Sequence, residues 1–339
     1  MIALAATFLV ALIVSTLVTP RAIALAERHG VVRKPGERDV HTQVTPLWGG
    51  MGIYAGAVVA VLLSVSYRHW RTEGVNGWTP QLIGLLLGAT WIAAAGAWDD
   101  RKGLSPAKQV LAILIGAAIV LAFGVRIEGI SNPLSGIAGY WRAYEVQRWL
   151  PLSLPASVLA TLAWFVGVTK TVDIIDGLDG LAAGVCAISA TTLALLATVT
   201  PQPGGPALGL VAASIAGACI GFLRFNFNPA KVFMGTIGAQ FLGFMLAGIA
   251  VLGPFKAAAA VSVLIPLLVM GMPVFDGVFV VLRRLVTRQP LTQADKRHFH
   301  HWLLDRGLTQ RQAVCVIYAM ALVFCAAALL LFTRAIASS

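Results

Sequence analysis

Apolar residues along this chain come in long unbroken blocks, not in the short alternation of half-buried strands or the narrow stripes of soluble helices. The blocks lie near residues 2–20, 47–67, 79–98, 107–124, 153–168, 178–199, 207–223, 233–252, 256–275 and 313–333. A run of about 18 or more apolar residues crosses the roughly 30 Å hydrocarbon core as a helix. Inside lipid every backbone N–H and C=O has to be satisfied within the span, so repeated blocks predict helices packed into a bundle. The weaker alternation of a membrane barrel is absent. The expected fold is therefore all-α, a polytopic membrane bundle of about ten transmembrane helices forming one domain over residues 1–339. The block at 153–168 is the shortest and that at 233–252 is rich in glycine, which makes both candidates for bent or re-entrant helices. The first block, Ile2 to Pro20, has neither a basic leader nor an A-x-A exit and reads as a retained helix, not a cleaved signal.

Composition agrees, with 58% hydrophobic and 12% charged residues where soluble domains carry about 25% charged. Cys186, Cys219, Cys315 and Cys325 all sit inside apolar blocks with no metal-ligand spacing, and read as small packing residues.

The loops carry the remaining information. Numbered in order, the odd loops hold 18 of the 25 Lys and Arg. The positive-inside rule then places odd loops in the cytoplasm and both termini outside. Basic loops lying against anionic lipid account for the net charge of +11, so no nucleic-acid partner is called for. Acids and histidines sort the same way. All nine aspartates fall in or beside odd loops, and of the six histidines only His69 does not. A merely solvated surface gives no reason for that segregation, whereas a working surface facing the cytosol does.

Four segments carry candidate chemistry. Asp99-Asp100-Arg101-Lys102-Gly103 closes the third block, and Ser105-Pro106 beyond it suits the N-cap and first position of a new helix. Adjacent carboxylates repel, a cost that a divalent cation or Arg101 and Lys102 would offset. Asp173, Asp176 and Asp179, in Lys170-Thr171-Val172-Asp173-Ile174-Ile175-Asp176-Gly177-Leu178-Asp179-Gly180-Leu181, would share one helix face at three-residue steps near the start of the sixth span. There the helix dipole favours anions. Charged groups at the edge of a bundle are costly unless paired, which points to function, and the spacing does not match a calcium loop. The run Arg224 to Ala239 combines aromatics, amides and cations with glycines, as a groove for a base and phosphates would. Interfacial aromatics explain part of it. Finally, Asp295-Lys296-Arg297-His298-Phe299-His300-His301 suits polyphosphate better than zinc, because the i, i+4 ligand spacing is missing. The first loop adds Arg33-Lys34-Pro35, His41, Thr45-Pro46 and Gly49-Gly50.

In this order the segments resemble the polyprenyl-phosphate N-acetylhexosamine-1-phosphate transferases, the glycosyltransferase family 4 enzymes that begin teichoic acid and O-antigen synthesis. Arg33 to Gly50 is similar to that family's RKP…H…P…GG loop, Asp99-Asp100 to its DD pair and Asp176 to Leu181 to its DGxDGL. Phe225 to Ala239 is similar to its xNxxPAxxFMGDxGS, and His298 to His301 to its HxHH. The D-[KR]-R before HxHH resembles the GlcNAc type, and the muramoyl-pentapeptide branch is a weaker match. The resemblance implies transfer of a sugar 1-phosphate from a UDP-N-acetylhexosamine to undecaprenyl phosphate, with UMP released and Mg²⁺ or Mn²⁺ on the diphosphate. It also implies a bacterial plasma-membrane location, a cytoplasmic active site and, by analogy, a homodimer. Asp99, Asp100, Asp176, Asp179 and His298 would be catalytic, and Asp99, Asp100 and Asp173 would hold the metal. Lys34, His41, Asp179, Asn226, Phe233, Arg297, His300 and His301 would bind substrate, with Asp179 and Phe233 on the uridine and the histidines on the diphosphate.

Two departures stand out. The aspartate of FMGDxGS, a metal ligand in that family, is Thr236 here. The two amides of NxxNxxDGxDGL are Lys170 and Asp173. Either Asp173 takes over the lost charge and Mg²⁺ is retained, or the metal is lost, with Lys170 supplying part of the cation or the site silent. A transporter is the non-enzyme alternative, but transporter sites lie near the bilayer midplane and these acids cluster at one edge.

Overall fold

The computed structural model describes residues 1–35, 44–71, 78–131, 149–198, 205–253 and 299–337, together with Gly271. The helices are α1 (Ile2–Arg28), α2 (Gly50–Arg71), α3 (Pro80–Lys102), α4 (Pro106–Ala122) and α5 (Leu154–Ile175), followed by α6 (Leu181–Thr198), α7 (Gly205–Asn226), α8 (Gly235–Leu252), the short α9 (Phe299–Asp305) and α10 (Gln310–Ala337). Among the described residues eight helices are long and apolar enough to cross a membrane, and α4 is a shorter apolar one. The molecule is a polytopic helical membrane protein. The block expected at 256–275 lies outside the described residues, apart from Gly271.

Local chemistry sets the helix limits. Thr79 caps α3 by accepting from Leu82 N at 3.2 Å, with Pro80 in the first turn. Thr309 and Gln312 form a reciprocal capping box at the start of α10, where the Gln312 side chain accepts from Thr309 N at 2.9 Å. Ser105 occupies the N-cap of α4 as expected, though its side chain makes no capping bond.

Helices α6, α7 and α8 are enclosed over most of their surface, while α1 and α10 bury one stripe and leave the rest apolar and exposed, as lipid-facing helices do. The stripe of α1 consists of Thr7, Ala11, Ser15, Thr19, Ala22 and Ala26, small side chains at steps of four and, once, three residues along one face. Lipid tails are as apolar as the helices, so association rests on close packing and hydrogen bonds between small residues. Accordingly Ser15 Oγ donates to Ala218 O of α7 at 2.8 Å, and Thr7 and Ser64 hydroxyls share a 2.6 Å bond between α1 and α2.

Two small antiparallel ladders mark the two ends of the bundle. Val32–Arg33 (β1) pairs with Thr45–Pro46 (β2) in the first loop, and Gly129–Ser131 (β3) pairs with Trp149–Pro151 (β4) between α4 and α5. The first lies with the aspartate-bearing loops, and the second lies at the other ends of α4 and α5.

Candidate active site

The described parts of the first, third, fifth, seventh and ninth loops meet at one end of the bundle, and backbone bonds tie the first to the seventh. Phe233 N donates to Pro46 O at 2.9 Å, Gly49 N to Phe233 O at 3.0 Å and Gly50 N to Met234 O at 2.9 Å. The Gly49-Gly50 pair is therefore stitched to the Phe233-Met234 segment. No side chain fits in that seam: a Cβ on Gly50 would run into the backbone of Gly238, and one on Gly96 would come 2.6 Å from Ile237 Cα. Helices α2, α3 and α8 converge there backbone to backbone.

Into this junction α3 delivers its two aspartates, with different partners. Asp99 is buried; it accepts from Leu104 N at 2.5 Å and from Gln109 Nε2 at 2.9 Å, which closes the α3–α4 turn. Asp100 crosses to the start of α8 and accepts from Thr236 N at 2.7 Å and Ile237 N at 3.4 Å, so it satisfies N–H groups that a helix start leaves unpaired. Gly235 adopts φ +66° there, and a Cβ on it would overlap the Asp100 carboxylate, so glycine is required on both counts.

The three later aspartates do not share one helix face, contrary to the spacing-based expectation. Helix α5 runs on to Ile175, beyond the block expected to end at 168, and the chain then turns through Gly177–Gly180 into α6. Asp173 lies in the last turn of α5, Asp176 is its C-cap and Asp179 lies in the turn. Asp173 and Asp176 thus sit at the end of a helix, where the dipole opposes anions. The compensation for Asp173 is Lys170, one turn earlier, whose ammonium pairs with Asp173 Oδ2 and also donates to Gln109 Oε1 at 2.8 Å. Gln240 Nε2 of α8 approaches the same Asp173 oxygen at 3.4 Å. A continuous network therefore runs Asp99–Gln109–Lys170–Asp173–Gln240 across α3, α4, α5 and α8.

Asp179 is spent on the seventh loop: its Oδ2 accepts from Asn228 Nδ2 at 2.9 Å and Ala230 N at 3.0 Å. Asn226 is enclosed, its Oδ1 taking Gly180 N at 3.0 Å and its Nδ2 donating to Val232 O at 2.9 Å. That amide brackets the two loops to each other. Helix α10 braces the same place, with Tyr318 OH donating to Gly180 O at 2.5 Å, Asn228 Nδ2 to Gln310 Oε1 at 2.7 Å and Arg311 Nε to Asn228 O at 3.0 Å.

Asp176 differs from the others, because no described residue hydrogen-bonds its carboxyl. Burial, then the negative charges of Asp173, Asp100 and Asp179, push it up to about 8. A carboxylate without a donor amid three others is where a cation or a proton is most favoured.

Of the remaining expected residues, Lys34 is exposed beyond β1 and Phe233 is half-buried at the Gly49-Gly50 seam. His41, Arg297 and His298 lie outside the described residues, and His300 and His301 are described only as backbone at the start of α9. Trp302 of α9 stacks with Phe299 and carries Arg306 over its ring at 4.4 Å. From there the chain reaches Gln310, at the Asn228 loop, within a few residues. Sequence reasoning missed Gln109, Gln240, Gln310 and Tyr318. A fully buried amide inside an apolar span was a readable signal for Gln240; nothing in the pattern marked the others.

Comparison with known proteins matches residues 82–254 to the model of glycosyl transferase family 4. The chain is 34% identical over 335 residues to a probable undecaprenyl-phosphate N-acetylglucosaminyl 1-phosphate transferase of Bacillus subtilis, covering 98% of this chain and 86% of that protein. It is 34% identical to a decaprenyl-phosphate N-acetylglucosaminephosphotransferase of Mycolicibacterium smegmatis, over 93% of this chain and 79% of the relative. A phospho-N-acetylmuramoyl-pentapeptide-transferase of Mycolicibacterium vanbaalenii is 33% identical over 74% of this chain and 77% of that protein.

Proposed function

Because the chain belongs to glycosyl transferase family 4, we propose that this phosphoglycosyl transferase moves N-acetylglucosamine 1-phosphate from UDP-N-acetylglucosamine to undecaprenyl phosphate on the cytoplasmic face of the membrane. A lipid phosphate oxygen forms a bond to the β-phosphorus of the UDP-sugar. The bond from that phosphorus to the bridging oxygen breaks, and the oxygen leaves on UMP. The observation that carries this reading is the aspartate cluster at the loop end of the bundle, with Asp176 at its centre given no hydrogen bond by any described residue. The full-length relatives named for GlcNAc-phosphate transfer to polyprenyl phosphates support the substrate class.

The reaction needs positioning and charge neutralisation more than covalent help. A lipid phosphate is already largely ionised near pH 7, its second pKa being about 6, so no strong base is required. Metal dependence is general in this family, and the donor set fits a hard divalent ion. Such ions take oxygen ligands, and Mg²⁺ typically binds one or two carboxylates together with substrate phosphates. Asp176 offers a carboxylate that no described residue hydrogen-bonds and Asp100 another whose charge reaches it; these two would hold the ion, which would neutralise charge on the diphosphate. Asp99, Asp179 and Asn226 act as positioning residues through the α3–α4 turn and the bracketed loops. The half-buried Phe233 and the Lys34 and His298–His301 segments would complete the nucleotide and diphosphate contacts.

The test is UMP release by the purified protein from UDP-GlcNAc, UDP-GalNAc or UDP-glucose with undecaprenyl phosphate, in Mg²⁺, Mn²⁺ or EDTA. UMP released fastest from UDP-GlcNAc, and none in EDTA, is the expected result. No UMP from any of the three sugars would refute the reading.

A further inference from the structure

We propose that Lys170 is a phosphate-binding residue of this transferase, with Asp173 as the partner that positions it; the inference rests on the functional reading above. An ammonium carries three N–H bonds. Two of those on Lys170 are taken, by Gln109 Oε1 and Asp173 Oδ2. The side chain is 25% exposed, which leaves the third N–H room for a further acceptor.

A bare neutralising role accounts poorly for this pair. The family pattern places two amides at positions 170 and 173. Exchanging two neutral groups for a cation and an anion leaves the net charge unchanged, yet it adds the desolvation cost of two ions. A further anion meeting the lysine would offset that cost. Asp173, an acceptor only, cannot itself bind an anion, and its Oδ2 already receives the Lys170 ammonium and Gln240. Lys170 has room for an anion. It lies one turn before the C-terminus of α5, where the dipole favours cations. Gln109, itself anchored on Asp99, holds the ammonium from the α4 side. With Thr236 in place of the family's aspartate, the centre is one charge unit more positive than the family pattern. A phosphoryl oxygen is the anion that this arrangement is built to receive. It belongs either to the UDP-sugar diphosphate or to the lipid phosphate.

The test compares the parent with Lys170→Arg and with the double variant Lys170→Asn, Asp173→Asn, which removes both charges together and leaves no carboxylate unpaired. KM for UDP-GlcNAc and for undecaprenyl phosphate is measured separately, and UDP binding is followed by calorimetry in EDTA. A charge-assisted hydrogen bond contributes about 1.5–3 kcal/mol, so the double variant is expected to raise one KM by about 10-fold or more at unchanged melting temperature. Lys170→Arg should retain most of the affinity. A raised KM for UDP-GlcNAc with weakened UDP binding assigns the contact to the diphosphate, and a raised KM for the lipid alone assigns it to the acceptor. A double variant that matches an active parent in both KM values and in UDP affinity overturns the inference and leaves the functional reading intact. A parent that releases no UMP overturns both.

Discussion

At the scale of single residues, five aspartates converge, and among the described residues only Asp176 finds no hydrogen-bond donor. Asp99, Asp100, Asp173 and Asp179 each hold a turn, a helix start or a lysine. The Asp176 carboxyl, pushed up to about 8 by burial and then by its acidic neighbours, binds a proton more tightly in the folded state than in the unfolded one. Stability in EDTA should then fall as pH rises from the ordinary carboxylate range through about 8. Asp176→Asn, which mimics the protonated acid, should flatten that decline, so that its melting temperature exceeds the parent's by clearly more at pH 8.5 than at pH 5. Equal melting curves at both pH values would contradict the assignment. Asn226 gives a second prediction at this scale. Replacing it with alanine strands Gly180 N and Val232 O in the interior, at about 1–3 kcal/mol for each unsatisfied group. Asn226→Ala should therefore lower the melting temperature in detergent by several degrees or more and reduce turnover with it.

At the scale of elements, the site depends on how closely α2, α3 and α8 approach. Gly96→Ala would place a methyl group 2.6 Å from Ile237 Cα and push the start of α8, with Thr236 N, away from Asp100. Turnover should drop by about 10-fold or more while circular dichroism stays helical, since misplacement of about 1 Å is enough to cost that much. Long apolar blocks made most helices legible from the sequence, and the family's motif order made the site segments legible. What the pattern could not supply was the end of α5. Lys170 and Asp173 interrupt the apolar run, so the span seemed to stop near 168, although the helix continues because the two charges satisfy each other. The three aspartates were accordingly assigned to one face of the following helix, where the dipole would favour them, instead of to a helix end and a turn. Gln109 and Gln310 were invisible for a related reason: a polar residue in the first turn of a helix looks like solvent-facing surface until its tertiary partner is known.

At the scale of the whole molecule, the described parts of the odd loops gather at one end, and the β3–β4 hairpin lies between the helices' opposite ends. The proposed function needs the first of these ends to face the cytoplasm, the side that the charge pattern of the sequence leads one to expect. In a cysteine-free background, Arg126→Cys should react with an impermeant maleimide on intact cells, and Lys34→Cys only after lysis; both positions are exposed. The reverse pattern would invert the molecule and move the site away from cytosolic UDP-sugars. The most direct test of the account is mass spectrometry of the lipid product. Parent protein and Asp176→Asn, both verified as folded, are incubated with UDP-GlcNAc, undecaprenyl phosphate and Mg²⁺. The expected outcome is undecaprenyl-diphospho-N-acetylglucosamine from the parent and a loss of about 100-fold or more in the variant, comparable to removal of one preorganised charge-stabilising group. Undiminished product from Asp176→Asn, or none from the parent, would contradict it.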